Sequence, residues 1–147
     1  MGRIRKLLSL PTHERWLLLK VAALLGAVRL ILRLLPFSSA RRLFGWASRH
    51  CPRLETNRVP TERLAWTVSV ASRFVPYATH CLTQAIAIQI LLARRGYPAK
   101  VCFGVLPEST KQLMAHAWVE SNGVIVIGGA DAEQRYVKLT SPMDFTS

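Results

Sequence analysis

Residues 81–106 read CLTQAIAIQILLARRGYPAKVCFGVL, and they contain the change from helical to extended patterning that decides the fold. The apolar run at 82–93 predicts a helix. Arg94-Arg95-Gly96 predicts its end, because basic side chains suit the negative end of the helix dipole and glycine suits a helix C-terminus. Pro98 prevents continuation. Residues 101–106 are rich in β-formers and predict a strand.

The sequence that follows predicts further strands. Residues 115–120 (AHAWVE) alternate in polarity, Asn122-Gly123 is a hairpin-turn signal, and residues 124–127 (VIVI) predict the returning strand. A polar loop is expected at 107–112, and residues 136–139 are a candidate for a further strand. Helices followed by an antiparallel sheet indicate an α+β fold.

The sequence upstream is helical in pattern. Residues 61–74 place apolar side chains on one face of a helix. Residues 52–60 (PRLETNRVP) are polar and bounded by prolines, which predicts a linker. We therefore predict two regions: a basic helical N-terminal region, residues 1–60, and a core region, residues 61–147.

The N-terminal region contains a long apolar run at 16–37 and a shorter segment at 39–49, which predict two helices. Lys20, Arg29 and Arg33 interrupt the run, so its uncharged stretches are far shorter than the ~20 residues that a membrane span needs. No small-residue cleavage site follows it cleanly, so a signal peptide also fits poorly. We interpret the run as an amphipathic or buried helix.

Most of the positive charge lies in the N-terminal region. The 147 residues hold 20 Lys+Arg and 8 Asp+Glu, a net charge of +12, and residues 1–60 contribute 12 of those basic and 2 of those acidic residues. No motif of a nucleic-acid-binding module is present, so we predict no nucleic-acid partner. A basic amphipathic surface could instead lie on an anionic membrane or face an acidic protein partner.

The chain has three cysteines, at positions 51, 81 and 102, with no CxxC spacing. An odd number cannot form a complete disulfide framework, which favours a cytoplasmic protein with reduced thiols. The four histidines have no spacing suited to zinc. We therefore predict neither a metal nor another cofactor.

Cys81 and His116 are the candidate nucleophile and base. Cys81 lies at the predicted start of a helix, where unpaired backbone N–H groups and the helix dipole favour the thiolate. His116 lies on a predicted strand, and histidine can take a proton from a thiol and return it to a leaving amine. A period of two places His116, Trp118 and Glu120 on one face and Ala117 and Val119 on the other.

Three blocks together carry a family resemblance: Cys81-Leu82-Thr83-Gln84-Ala85, residues 91–99 (LLARRGYPA) and residues 116–120 (HAWVE). They resemble the transglutaminase-like cysteine peptidases and, more closely, the leader peptidases (B proteins) of lasso-peptide biosynthesis. The resemblance covers about residues 75–139.

The resemblance implies a papain-like reaction on a ribosomally made precursor. Cys81 would attack the carbonyl at the end of the leader, His116 would act as general base and then general acid, and water would hydrolyse the thioester. The expected partners are the leader–core precursor, an ATP-dependent macrolactam cyclase and a separate leader-recognition protein, because this chain looks like the split form of the family.

Many relatives carry an aspartate about a dozen residues after the histidine, but this chain has Gly128 there. Asp131 is the nearest carboxylate and our expected third catalytic residue, since two glycines before it allow a sharp bend. Glu120 and Asn122 are weaker candidates. The Cys81 N–H is the expected first oxyanion donor.

Gln84, Thr79 and Tyr77 are candidates for a second oxyanion donor. Two other functions stay open: another thiol acyl transferase or amidase on the same fold, and a non-catalytic basic adaptor that binds a protein partner or a membrane surface.

Overall fold

A computed structural model describes residues 11–50, 59–75, 80–106 and 115–139. Cys51, the predicted loop at 107–112 and most of the predicted linker at 52–60 lie outside these ranges. The helices are α1 (Thr12–Leu34), α2 (Phe37–His50), α3 (Thr61–Ser72), α4 (Cys81–Arg94) and α5 (Ala132–Arg135). The strands are β1 (Lys100–Val105), β2 (Ala115–Ser121), β3 (Val124–Ile127) and β4 (Val137–Lys138).

Prolines determine where the first three helices begin. Pro11 and Pro60 are extended and immediately precede α1 and α3. The carbonyl oxygens of Pro11, Pro36 and Pro60 accept the first backbone hydrogen bonds of α1, α2 and α3. Pro36 also ends α1, because the residue before a proline avoids helical geometry and Leu35 is extended. The predicted helices are therefore confirmed, with ends shifted by a few residues.

Helix α4 lies at the centre of the molecule. It packs against α1, α2, α3 and strands β1, β2 and β3. Every side chain from position 85 to position 92 is buried, Gln89 included. A helix that is apolar on all sides is stable only when it is enclosed, which explains why the run at 82–93 shows almost no polar face.

The turn after α4 is a Schellman motif. The Tyr97 N–H donates to the Leu92 carbonyl and the Gly96 N–H donates to the Ala93 carbonyl, each at 3.0 Å. Gly96 takes φ +77°, the left-handed conformation that glycine adopts without a steric cost. The predicted end of the helix at Gly96 therefore agrees with the structure, and the chain turns directly into β1.

The four strands form one antiparallel sheet with the order β3-β2-β1-β4. The β2–β3 hairpin turns at Asn122 and Gly123, whose φ angles are +51° and +78°. Positive φ at both central positions is the geometry that the Asn-Gly pair favours. The α+β fold class predicted from the sequence is confirmed.

The two faces of the sheet pack against different layers. Val101, Ala117 and Val119 belong to the main core with the helices. Cys102 and Trp118 point to the other face, in a smaller cluster with Ala132, Ile125 and Tyr136. Helix α5, which supplies Ala132, was not predicted from the sequence, because it is only four residues long. The strand expected at 136–139 is present as β4, which is shorter and covers Val137–Lys138.

A helix crosses a bilayer only when it is both long and apolar enough. In the ranges that the structure describes, none of the helices combines the length and the apolar character needed to cross a membrane.

Candidate functional site

Cys81 is the first residue of α4, and His80 is the residue that precedes the helix. The Cys81 side chain is partly buried and packs against the main core. No side chain caps the start of α4 within the described ranges. The first N–H groups of a helix have no partner inside it, so this end can stabilise negative charge on a thiolate or an oxyanion.

His116 is the second residue of β2 and pairs with Gly104 on β1. Its imidazole stacks on the Tyr136 ring at 4.9 Å between centroids and lies 6.4 Å from the Trp118 ring. Gly104 leaves the room for this arrangement, because a Cβ there would lie 2.7 Å from Tyr136 Cβ and 2.8 Å from a ring carbon of Trp118. The His116 ring therefore belongs to an aromatic cluster with Tyr136 and Trp118 that glycine at position 104 permits.

A backbone carbonyl fixes the orientation of the His116 ring. His116 Nε2 lies 2.6 Å from the Gly128 carbonyl oxygen. A carbonyl oxygen only accepts hydrogen bonds, so Nε2 must carry the proton. In the neutral ring, Nδ1 then has the free lone pair and is the nitrogen that can accept a proton from a thiol. The tautomer that a general base needs, with Nδ1 free of a proton, is thus set by the fold.

Only glycine fits at position 128. Its φ is +112°, and an added Cβ would lie 2.4 Å from Trp118 Cβ and 2.8 Å from Trp118 Cα. This is the position, twelve residues after the histidine, at which the resemblance leads us to expect an aspartate side chain. The structure places a main-chain acceptor there instead, which sequence reasoning missed. The Gly128-Gly129 pair was the signal that could have indicated it.

Replacing Gly128 with alanine is expected to destabilise the fold by about 2–4 kcal/mol, because the new methyl group combines a strained φ with a collision in the core. Chemical denaturation measures this loss. Gly129→Ala is the matched control: its φ is +97°, yet the nearest atom is the Asp131 carboxylate at 3.2 Å, which can move. Equal losses for the two variants would contradict the role given to the Trp118 contact.

The carboxylate and amide candidates lie elsewhere. Asp131 is exposed, and its Oδ2 lies 3.5 Å from Arg135 Nη1. Glu120 bonds to Trp118 and Lys138, and Asn122 occupies the β2–β3 turn. In the described part of the chain, none of these three side chains hydrogen-bonds to His116. The catalytic role of Asp131 therefore stays a prediction.

The lengths of α4 and β1 bear on where His116 lies relative to Cys81. Strand β1 starts near the C-terminus of α4 and has six residues, about 20 Å, against fourteen residues, about 21 Å, for α4. Because β1 follows α4 after a tight turn and packs against it, we expect Gly104, which pairs with His116, to lie nearer the Cys81 end of the helix than Lys100 does.

The two side chains nevertheless belong to different layers of the fold. Cys81 packs with the helices, whereas His116 stacks with Trp118 and Tyr136 on the other sheet face. Across the described ranges, no hydrogen bond joins the Cys81 thiol to the His116 imidazole. A proton transfer between them requires Cys81 Sγ and His116 Nδ1 to come within hydrogen-bonding distance at the end of the sheet, where the two layers adjoin.

Of the three candidates for a second oxyanion donor, Gln84 is the one that lies within the described residues. Gln84 Nε2 donates to Ser72 Oγ at 3.1 Å, which directs the amide toward α3. Tyr77 and Thr79 lie outside the described residues.

Cys102 is buried on β1, and burial together with a hydrogen bond to Glu120 raises the pKa of its thiol to about 11. Cys102 is therefore unsuited to act as a nucleophile.

Glu120 is the centre of a charged network on the sheet face that carries His116. Its carboxylate accepts hydrogen bonds from Trp118 Nε1 at 2.8 Å and from Lys138 Nζ at 2.8 and 3.1 Å. Burial alone would raise the pKa of Glu120, but hydrogen bonds from Lys138, Trp118 and Cys102 outweigh it and lower that pKa to about 2. The hydrogen bond from Nε1 holds the orientation of the Trp118 indole ring, which packs beside His116.

The Glu120 network predicts a loss of stability in acid. A carboxyl group whose pKa is lower in the folded state stabilises the fold above its ordinary value of 4.5, and this contribution disappears as the pH falls toward about 2. Glu120→Gln should reduce stability near neutral pH by about 1–3 kcal/mol and should flatten the pH dependence between these values. Urea unfolding at several pH values measures both, and Glu62→Gln, an exposed carboxylate on α3 outside this network, is the control. An unchanged slope in Glu120→Gln would contradict the prediction.

The fold and the site define an α+β protein whose central helix begins at a cysteine and whose sheet carries a histidine held in a fixed tautomer. The sequence model of the transglutaminase-like superfamily matches residues 22–141. The chain belongs to the transglutaminase-like superfamily, which includes cysteine peptidases and acyl transferases. No curated protein and no solved structure gives a significant match.

Proposed function

We propose that this chain is a cysteine peptidase that cleaves the leader from a lasso-peptide precursor. Cys81 attacks the carbonyl carbon of the scissile bond while His116 Nδ1 takes the thiol proton. The protonated imidazole then gives this proton to the leaving amine of the core peptide. Water attacks the resulting thioester with His116 again as base, which releases the leader as a carboxylate and restores the thiol.

The observation that supports this proposal best is the contact of His116 Nε2 with the Gly128 carbonyl. A histidine with a merely structural role can use either nitrogen, whereas a general base needs one defined nitrogen free of a proton. The imidazolium that forms during the reaction would still donate from Nε2 to this carbonyl, so the contact stabilises both protonation states. We therefore assign Gly128, rather than a side chain, the task of orienting His116.

The lasso-peptide substrate rests on the resemblance of the Cys81 block and the HAWVE block. We propose that the precursor arrives with a separate leader-recognition protein and that an ATP-dependent cyclase takes the freed core. The reaction would take place in the cytoplasm, where ribosomal precursors are made and thiols stay reduced.

A cleavage assay in heavy-oxygen water tests the proposal. The purified chain is mixed with a candidate leader–core precursor and its leader-recognition protein, and the masses of the products are measured by mass spectrometry. Hydrolysis places one heavy oxygen on the new C-terminal carboxylate of the leader. If an added primary amine is joined to the leader and no heavy oxygen enters, the chain is an acyl transferase and not a peptidase.

A non-catalytic adaptor is the second candidate function. It is favoured by one observation: Cys81 and His116 belong to different layers and share no hydrogen bond in the described ranges. An adaptor would bind the leader-recognition protein or the precursor without turnover. Stoichiometric binding of the precursor with no cleavage, under conditions in which the cyclase partner is also present, would favour the adaptor.

A further inference from the structure

Helix α1 is apolar on the side that faces solvent as well as on the side that faces the core. Val21, Leu25 and Val28 are fully buried. About half a turn away, a second set of apolar side chains is exposed, with Trp16 and Leu19 at 61% and 62% of their full accessible surface. We call this second set the α1 stripe: Trp16, Leu19, Ala23, Ala27, Leu30 and Leu34.

The α1 stripe is long and continues beyond the helix. Helix α1 has 23 residues, which corresponds to about 34 Å. Leu34, Leu35 and Phe37 extend the apolar surface across the junction into α2, where Trp46 is also exposed. Exposed apolar surfaces of this size mark interaction sites, because isolated soluble domains seldom leave them in water.

The charges beside the stripe show what kind of surface would cover it. Residues 11–50 contain seven Lys and Arg and one acidic residue, Glu14, which is paired with Arg63. At 100° per residue, Lys20 lies along one border of the stripe and Arg33 along the other, and both are exposed. Long basic side chains can reach outward from such borders to anionic groups while their stems cover apolar surface.

We propose that the α1 stripe binds an anionic membrane surface, with its apolar side chains in the headgroup boundary and its basic borders on lipid phosphates. A second copy of the chain is disfavoured as the occupant, because each copy carries a net charge of +12. A flat anionic surface can meet the stripe and both basic borders at once, and a tryptophan such as Trp16 suits its interfacial zone. This inference is independent of the chemistry at Cys81.

Vesicle co-sedimentation of the full chain tests the proposal. We expect binding to vesicles that contain phosphatidylglycerol, and binding at least about tenfold weaker to pure phosphatidylcholine or when NaCl is raised from about 0.1 to about 0.5 M. The double variant Leu19→Ser/Leu30→Ser should lower partitioning into anionic vesicles by about 100-fold, about tenfold for each exposed leucine. Lys20→Glu/Arg33→Glu should lower it by at least about tenfold.

Val137→Ser and Arg135→Gln are the matched controls. Val137 is as exposed as Leu30, at 53% against 55%, and both control residues lie in the β4 and α5 region of the sheet. They should bind vesicles like the unaltered chain, and circular dichroism should show the same helix content for all variants.

Three results would overturn the membrane proposal. The first is the absence of binding to anionic vesicles, which would indicate that a protein partner covers the stripe. The second is binding that the Leu19→Ser/Leu30→Ser variant retains. The third is a dimer in light scattering that this double variant converts to a monomer, which would show that a second copy covers the stripe.

Discussion

Replacing Cys81 with alanine is expected to abolish precursor cleavage, with a loss of at least about 10⁴-fold in kcat/KM. The side chain supplies the nucleophile, and no other described cysteine can take its place, because Cys102 is buried with a pKa near 11. The methyl group of alanine keeps the apolar contact with the core, so the fold should be retained. Mass spectrometry of the leader and core products measures the loss.

The controls for Cys81→Ala separate chemistry from binding. Cys51→Ala should retain cleavage within about twofold, because Cys51 lies outside the three sequence blocks that carry the family resemblance. Affinity for the precursor and its leader-recognition protein should be unchanged in Cys81→Ala. Continued cleavage by this variant would remove Cys81 from the mechanism, and with it the peptidase proposal.

Replacing His116 with alanine is expected to lower kcat by about 10²–10⁴-fold, since the reaction then lacks its general base and acid. KM should change little, because the imidazole acts on the thiol and the leaving amine and does not hold the leader. The variant also leaves the Gly128 carbonyl without its partner, so some loss of stability is expected beside the loss of rate. Single-turnover cleavage of the precursor separates these effects.

Asp131→Asn is the discriminating companion of His116→Ala. With the Gly128 carbonyl as the orienting acceptor, this variant should cleave within about threefold of the unaltered chain, because it loses only a surface ion pair with Arg135. A loss of about 10²-fold or more would mean that Asp131 reaches His116 in the working enzyme. That result would restore Asp131 as the third catalytic residue and leave Gly128 a structural role.

The regular elements were predictable because their signals are local. The conformational preferences of a few neighbouring residues predict the end of α4 at Gly96, the hairpin turn at Asn122-Gly123 and the strand at residues 115–120. The structure confirms all three. The alternation also predicted that Ala117 and Val119 would lie on the face opposite Trp118. Helix α5 was missed because four residues are too few for a helical period to show.

The partners of the site residues were not predictable in the same way. Any residue carries a backbone carbonyl, so nothing in the sequence marks the Gly128 oxygen as the acceptor for His116. Its selection depends on the β2–β3 hairpin, on the close approach of Gly128 to Trp118 and on the positive φ that glycine permits there.

The amino-acid sequence by itself therefore determined the order of helices and strands, the α+β class and the two residue types that suit thiol chemistry, because these depend on neighbours along the chain. The tertiary structure alone decided which sheet face carries the imidazole, which atom holds its Nε2 proton and which apolar side of α1 stays in water. Those outcomes depend on contacts between residues far apart in sequence, where packing and hydrogen-bond geometry select among choices that are locally equivalent.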